Sequence, residues 1–361
     1  MKSLCSHITL YLLFLYSNTA YAITPPPPPE VTYKDKLGST YGPIVNISGE
    51  EHINNGFVGG VKFNPSSSGA RLYIDSGVAT IDAGGIHIYN GKWSEIRGPG
   101  QLTSNQKFLD IVAHVDTTGV VPPGKRVHYG LRIESVISGK MGLRMSGKHE
   151  GTAIVYLQGN QNNTFTGNVE VSGGSNYLAL GKTNGAIAVL GNVFVSSGAV
   201  LRFDASQQLR FTSNVTLKNA TLYHSVEKKE IRNKFHRLTV SGSRGVVSFG
   251  SGGTHSHKRY LYIDELVIED KARIEVNEWA PGRDFFLVKK TMNKKDLDAL
   301  MGKIHFRGWL PGRTHLESYD KDYWQISGTP EPSTYGAIFG ALGLGLSAWR
   351  ARRKRRSQVG P

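Results

Sequence analysis

Asn168-Val169-Glu170-Val171, Asn192-Val193-Phe194-Val195 and Asn214-Val215-Thr216-Leu217 are one short phrase written three times, at spacings of 24 and 22 residues. The same two-apolar pattern returns as Leu238-Thr239-Val240 and Leu266-Val267-Ile268, a further 23 and 28 residues on. After each of the first four comes a polar turn and a second apolar run: Tyr177-Leu178-Ala179-Leu180, Ala199-Val200-Leu201-Arg202-Phe203, Ala220-Thr221-Leu222-Tyr223 and Val246-Val247-Ser248-Phe249. One unit thus holds two or three short strands and their turns in about 23 residues. A lone unit of that size cannot bury its apolar face, whereas units stacked at about 4.8 Å per rung close a continuous column. The spacing therefore predicts an all-β chain, a right-handed parallel β-helix over residues 37–273 with about 23 residues per coil. An antiparallel sandwich would place turn signals roughly every 8 to 12 residues, without a unit that recurs at this longer period.

Working upstream, Leu72-Tyr73-Ile74, Val78-Ala79-Thr80-Ile81 and Ile86-His87-Ile88 extend the pattern, and Gly, about 12% of the chain, supplies its corners. Leu157 to Gly174, running on to Leu178-Ala179-Leu180-Gly181, resembles the autotransporter-associated β-strand repeat of β-helical passenger domains, with Thr164-Phe165-Thr166-Gly167 carrying the likeness. Asn168 and Glu170 interrupt it where the family has a further Gly-Thr-Thr run. No translocating barrel follows, so an autotransporter's own route is not expected. Downstream, residues 274–328 change character. Val276-Asn277-Glu278-Trp279, Phe285-Phe286-Leu287-Val288, a short helix from Lys294 to Met301 and the strand Ile304-His305-Phe306 are predicted to form a module that caps the last coil, whose open edge would otherwise recruit other chains.

Both ends read as addresses. Lys2, the apolar run Ile8 to Tyr16 and the A-x-A site Ala20-Tyr21-Ala22 predict a signal peptide over 1–22, removed after Ala22. The one cysteine, Cys5, falls inside it, so the mature chain is expected to fold without disulfides. Residues 23–36, with prolines 25 to 29, read as a stiff polyproline lead-in. At the other end, residues 329–356 place three elements in order: Pro330-Glu331-Pro332; an uncharged stretch over 335–349 bounded by Tyr335 and Trp349; and a cationic stop over 350–356 made of Arg350, Arg352, Arg353, Lys354, Arg355 and Arg356. The proline pair holds its tripeptide extended and open to a processing enzyme. As a single helix the stretch spans roughly 22 Å against a hydrocarbon core of about 30 Å, a short crossing aided by interfacial aromatics and snorkelling arginines. The arginines keep the C-terminus cytoplasmic and the body outside.

This tail resembles the PEP-CTERM sorting signal of Gram-negative bacterial proteins. The resemblance implies recognition by an exosortase after passage through the Sec machinery and signal peptidase, a transient stay in the inner membrane, and delivery to the envelope, surface or matrix. It covers only about the last thirty residues.

Nearly half of the formal net charge of +15 belongs to these ends. Setting aside Lys2 and the six tail cations leaves 36 basic against 28 acidic residues, near +8. Scattered pairs such as Lys228-Lys229, Lys289-Lys290 and Lys294-Lys295 form no stripe, so no specific nucleic acid partner is expected, while exopolysaccharide is a candidate ligand. No catalytic constellation emerges. A glycan-cleaving β-helix needs an acid and a base on either side of the bond. Here Asp75 and Asp82 lie seven apart on predicted strands, and Asp264-Glu265 and Glu269-Asp270 are neighbours that point to opposite faces, read as solvated edge charges. His255 and His257 flank Ser256 in a Gly-rich loop but lack further ligands, so neither a metal nor another cofactor is expected. Asn162-Asn163-Thr164 matches a glycosylation sequon only formally. Glu170, Phe194 and Thr216 share one repeat position, which is not the threonine ladder that ice binding needs. Two classes remain. The first is a structural, adhesive or glycan-binding surface protein, and the alternative is a polysaccharide-active lyase or hydrolase.

Overall fold

The computed structural model describes residues 44–330 apart from 64–68, 90–92, 115–127, 148–151, 175, 226–229 and 251–256. Over these residues the chain is a parallel β-solenoid. A first sheet stacks Ile44–Ile47, Gly60–Phe63, Ile86–Ile88, Phe108–Ala113, Gly142–Ser146, Val169–Ser172, Val193–Ser196 and the start of Asn214–His224. A second stacks Glu50–Ile53, Arg71–Ile74, Ser94–Arg97, His128–Ile133, Thr152–Leu157, Asn176–Leu180, Val200–Phe203 and the end of Asn214–His224. The third begins with Gly56–Val58, Val78–Ile81, Gln101–Ser104 and Val136–Ile137. The long strands Ile231–Ser248 and Arg259–Ile268 run through the corners and so serve more than one sheet.

The sequence repeat is the rung register. Val169, Val193, Val215, Leu238 and Leu266 are successive partners across the first sheet. Glu170, Phe194 and Thr216 stand in line beside them on the outer face, mixed in chemistry as the spacing predicts. The asparagine that opens each phrase has its own task. The Asn168 side-chain oxygen accepts from the Asn192 backbone N–H at 3.3 Å, and the Asn192 side-chain oxygen accepts from that of Asn214 at 3.0 Å. The ladder ends where Arg237 takes the next place, leaving Asn214 Oδ1 without a partner.

Strand residues alternate inward and outward, and the inward valines, leucines and isoleucines form one column from Ile47 to Ile326. Within it Phe203, His224 and Phe249 line up along the axis with ring centroids 5.4 Å apart at both steps, Phe203 meeting His224 edge to face and His224 stacking on Phe249. The third side changes construction between its early and late strands. There, side-chain amides stand in for a regular ladder. Asn163, buried, accepts from the Ile137 N–H at 3.0 Å and donates to the Ala188 carbonyl at 2.9 Å, which ties three turns together. Gln208 and Asn233, also buried, continue this arrangement. Phe165, from the stretch that resembles the autotransporter repeat, is fully buried at the same corner.

Parallel pairing continues past the boundary expected at 273. Ile274–Asn277 pairs with Ile231–Ser248, Asp284–Lys289 with Arg259–Ile268, and Ile304–Phe306 with Ile274–Asn277. The expected short helix is present as Lys294–Leu300, capped by the Asn293 side chain and anchored by buried Leu297. The direction then reverses. Tyr323–Pro330 pairs antiparallel with both Asp284–Lys289 and Trp309–Ser318. A second apolar cluster of Tyr260, Phe285, Leu287 and Tyr323, flanked by Tyr262 and Tyr319, holds this hairpin against the outer face of the third sheet. Among the described residues no helix is long and apolar enough to cross a membrane. The expected span over 335–349 lies outside them, as do Glu331, Pro332, the basic stop and the signal cleavage site at Ala20 and Ala22.

Candidate functional site

The outer face of the second sheet carries a row that no local stretch of sequence announces. Register places Arg71, Glu95, Arg132, Tyr156, Ala179, Arg202 and Tyr223 one above another on successive turns, with Tyr73 and Arg97 in line beside them. Their spacing along the chain varies, with Glu95 and Arg132 37 residues apart and the others 21 to 24, so only the fold brings them together.

Glu95 is the electrostatic centre. Its carboxylate, only 13% exposed, faces the Arg132 guanidinium at 2.9 Å, Arg71 at 3.2 Å and Arg97 at 3.5 Å. One carboxylate therefore meets three guanidinium groups, of which Arg71 also reaches Glu50 at 3.7 Å, and the Nε atoms of Arg97 and Arg132 are buried without a hydrogen-bond partner. Further along, Arg202 is held by Asp204 at 2.5 Å and by Ser225 at 3.1 Å, and its guanidinium lies 5.9 Å from the ring centres of both Tyr156 and Tyr223. Burial, and then the Glu278 carboxylate, hold the Tyr223 phenol above its ordinary pKa. At the N-terminal end of the face, His52 stacks on Tyr73 at 5.0 Å and bonds to Asp75 at 2.9 Å, which raises the His52 pKa.

Trp93 is the exposed platform of this face. Gly130 stands in register with it on the next turn, and a Cβ there would lie 2.0 Å from the indole ring. The glycine is what lets the ring lie across the sheet. Arg132, two residues on, covers one side at 5.9 Å, Tyr156 leans against the ring at 5.3 Å, and Trp93 remains 39% exposed. A second platform repeats the device on the first sheet. Phe108 lies over Gly142, where a Cβ would come within 2.6 Å of its ring, and Arg144 follows at 5.0 Å. There, however, Asp110 engages the arginine with two bonds of 2.6 and 2.8 Å. The signal was present in the sequence as Gly130-Leu131-Arg132 and Gly142-Leu143-Arg144, with the leucine fully buried in each case.

The acids weighed from the sequence are dispersed. Asp75 pairs with His52, and Asp82 accepts from the Gln106 amide at 2.5 Å on another edge. Asp264 corrects the expectation of a solvated edge charge, because its side chain is only 18% exposed and faces Lys234, His236 and Lys289 at 3.7 to 3.9 Å. Its neighbour Glu265 is taken by Arg237 at 2.6 Å. Of the two histidines singled out, His255 lies outside the described residues. A different pair comes together on the first sheet: His87 Nδ1 lies 2.7 Å from His114 Nε2, His87 Nε2–H donates to the Gly84 carbonyl, and desolvation lowers both pKa values. Among the described residues no three His, Cys, Asp or Glu side chains come together as a metal site. Compared with family models, curated proteins and solved structures, the chain shows no match.

Proposed function

We propose that this is an exported bacterial envelope or matrix protein whose solenoid presents a glycan-binding face, with a structural or adhesive task. The observation that carries the binding half is the outer row of the second sheet, where aromatic rings and guanidinium groups stand close together along the solenoid axis. Sugar rings stack on aromatic faces, and planar guanidinium groups bond to hydroxyl and acidic oxygens in pairs. The acids on or near this face favour binding over cleavage. Glu95 is engaged by three arginines and Asp204 by Arg202, so neither is free to act as acid or base.

The export half rests on the two ends of the sequence: Ala20-Tyr21-Ala22 and the PEP-CTERM-like tail from Pro330 to Arg356. In this proposal the coil is right-handed, the Trp309–Ser318 and Tyr323–Pro330 hairpin caps its last edge, and residues 335–349 form a temporary membrane helix. Exosortase, signal peptidase and the Sec machinery are its processing partners. Two measurements test the reading. The full-length protein in mild detergent is expected to bind glycans on an array with or without calcium and to release no reducing ends; chain cleavage would make it an enzyme. Glu331→Ala is expected to block processing only in a host that contains the exosortase. Unchanged size and location with and without that enzyme would leave the tail as a plain anchor.

A further inference from the structure

Resting on the glycan-binding reading, we infer that the ligand of the second-sheet face is an acidic polysaccharide, whose anionic groups meet the arginines around Glu95 while a sugar ring stacks on Trp93. Charge balance carries the choice. Arg71, Arg97 and Arg132 share the largely covered Glu95, and Arg71 also reaches Glu50 at 3.7 Å, so three guanidinium groups meet two carboxylates and the cluster keeps a surplus of one positive charge beside the exposed indole. A face built for a neutral sugar gains nothing from crowding three like charges, which repel one another unless an anion arrives. The planar guanidinium fork suits carboxylate and sulfate ester alike.

The row then carries its rings onward. Three rungs separate Arg132 from Arg202, about 14 Å at roughly 4.8 Å per rung, with Tyr156 between them and Tyr223 beyond, so an extended polymer lying along the solenoid axis meets further rings past Trp93, while Arg202, paired with Asp204, adds a hydrogen-bond donor but no net charge. The Phe108 platform supplies an internal contrast. It has the same ring-over-glycine construction, but Asp110 neutralises its arginine through two bonds. The acidic ligand therefore belongs to the second sheet and not to the first.

The test is a titration of the full-length protein in mild detergent with a polyuronate, a sulfated glucan, neutral dextran and duplex DNA, at about 50 and 500 mM salt. Both acidic glycans are expected to bind at low salt and to weaken at least tenfold at high salt. Whichever of the two binds more tightly identifies the anionic group. Trp93→Ala is expected to cost about tenfold in affinity. Gly130→Val, which displaces the indole while keeping Arg132, is expected to do the same with an unchanged circular dichroism spectrum. Phe108→Ala is expected to bind as the parent does. Equal, salt-insensitive binding of dextran would overturn the acidic assignment and leave the glycan reading standing. DNA binding as tight as the glycans and indifferent to Trp93→Ala would reduce the face to a general polyanion surface and overturn the inference. Absence of binding to any glycan would remove both readings.

Discussion

Replacing His224 with phenylalanine is expected to stabilise the protein by about 2 kcal/mol near neutral pH, and by a further ~3 kcal/mol at pH 4. His224 is fully buried between Phe203 and Phe249, aligned with both across adjacent rungs, and neither ring nitrogen has a hydrogen-bond partner. The neutral ring therefore already costs the fold an unmade hydrogen bond, typically about 1–3 kcal/mol. Desolvation, and then the nearby Arg259, push its pKa down to about 3 from an ordinary 6.5. Because the charged form is disfavoured in the fold, the unfolded chain binds the extra proton as pH falls below 6.5. This group thus adds no pH dependence above 6.5, and stability drains away between 6.5 and 3, at about 1.4 kcal/mol per pH unit. Phenylalanine completes a ring stack that the core already accommodates. Chemical denaturation at pH 7.5 and 4 checks this, and a His224→Phe variant with the parent's acid sensitivity would show that another group governs it.

Gln208→Leu is expected to act in the opposite direction, costing about 3–5 kcal/mol although the replacement is apolar and similar in size. The Gln208 amide accepts from the Lys182 N–H at 2.8 Å and donates to the carbonyls of Lys182 and Ser206 at 3.0 and 2.7 Å, and the residue is fully buried. Its own backbone N–H donates to the Asn233 side chain at 3.0 Å, and Asn233 in turn donates to the Ala205 carbonyl at 3.1 Å. Leucine would leave one N–H and two carbonyls unpaired inside the column. Each such group costs about 1–3 kcal/mol before relaxation. A midpoint of denaturation shifted by less than the equivalent of ~0.5 kcal/mol would mean that water takes over these bonds and that the amides are not what holds the third side together.

The two substitutions also mark where the sequence stops being legible. The first sheet could be read because its phrase recurs with the same asparagine and the same apolar pair, and Asn168, Asn192 and Asn214 do bond in series. The second runs follow at short, regular intervals, so Leu178, Leu201, Leu222 and Val247 fall into line as well. The third side could not be read, because between Val136–Ile137 and Ile231–Ser248 it has only scattered backbone bonds, completed by Asn163, Gln208 and Asn233, polar residues that resemble loop residues in a linear sequence. His224 occupies a position that phenylalanine fills on both neighbouring rungs, and only the register shows it facing inward. The binding face was hidden for a related reason. Trp93 and Gly130 are adjacent in space but 37 residues apart in the chain, a separation that breaks the period of about 23 that would have aligned them. Gly-Leu-Arg, repeated at 130 and 142, was the one local trace, and its meaning depends on which ring lies above the glycine.

A crystal structure of the protein with an acidic oligosaccharide tests the binding face most directly. The sugar is expected along the second sheet, with one ring on Trp93 and its anionic groups within hydrogen-bond distance of Arg71, Arg97 or Arg132. A saturated complex in which the sugar lies over Phe108, or anywhere else off the second sheet, would contradict it.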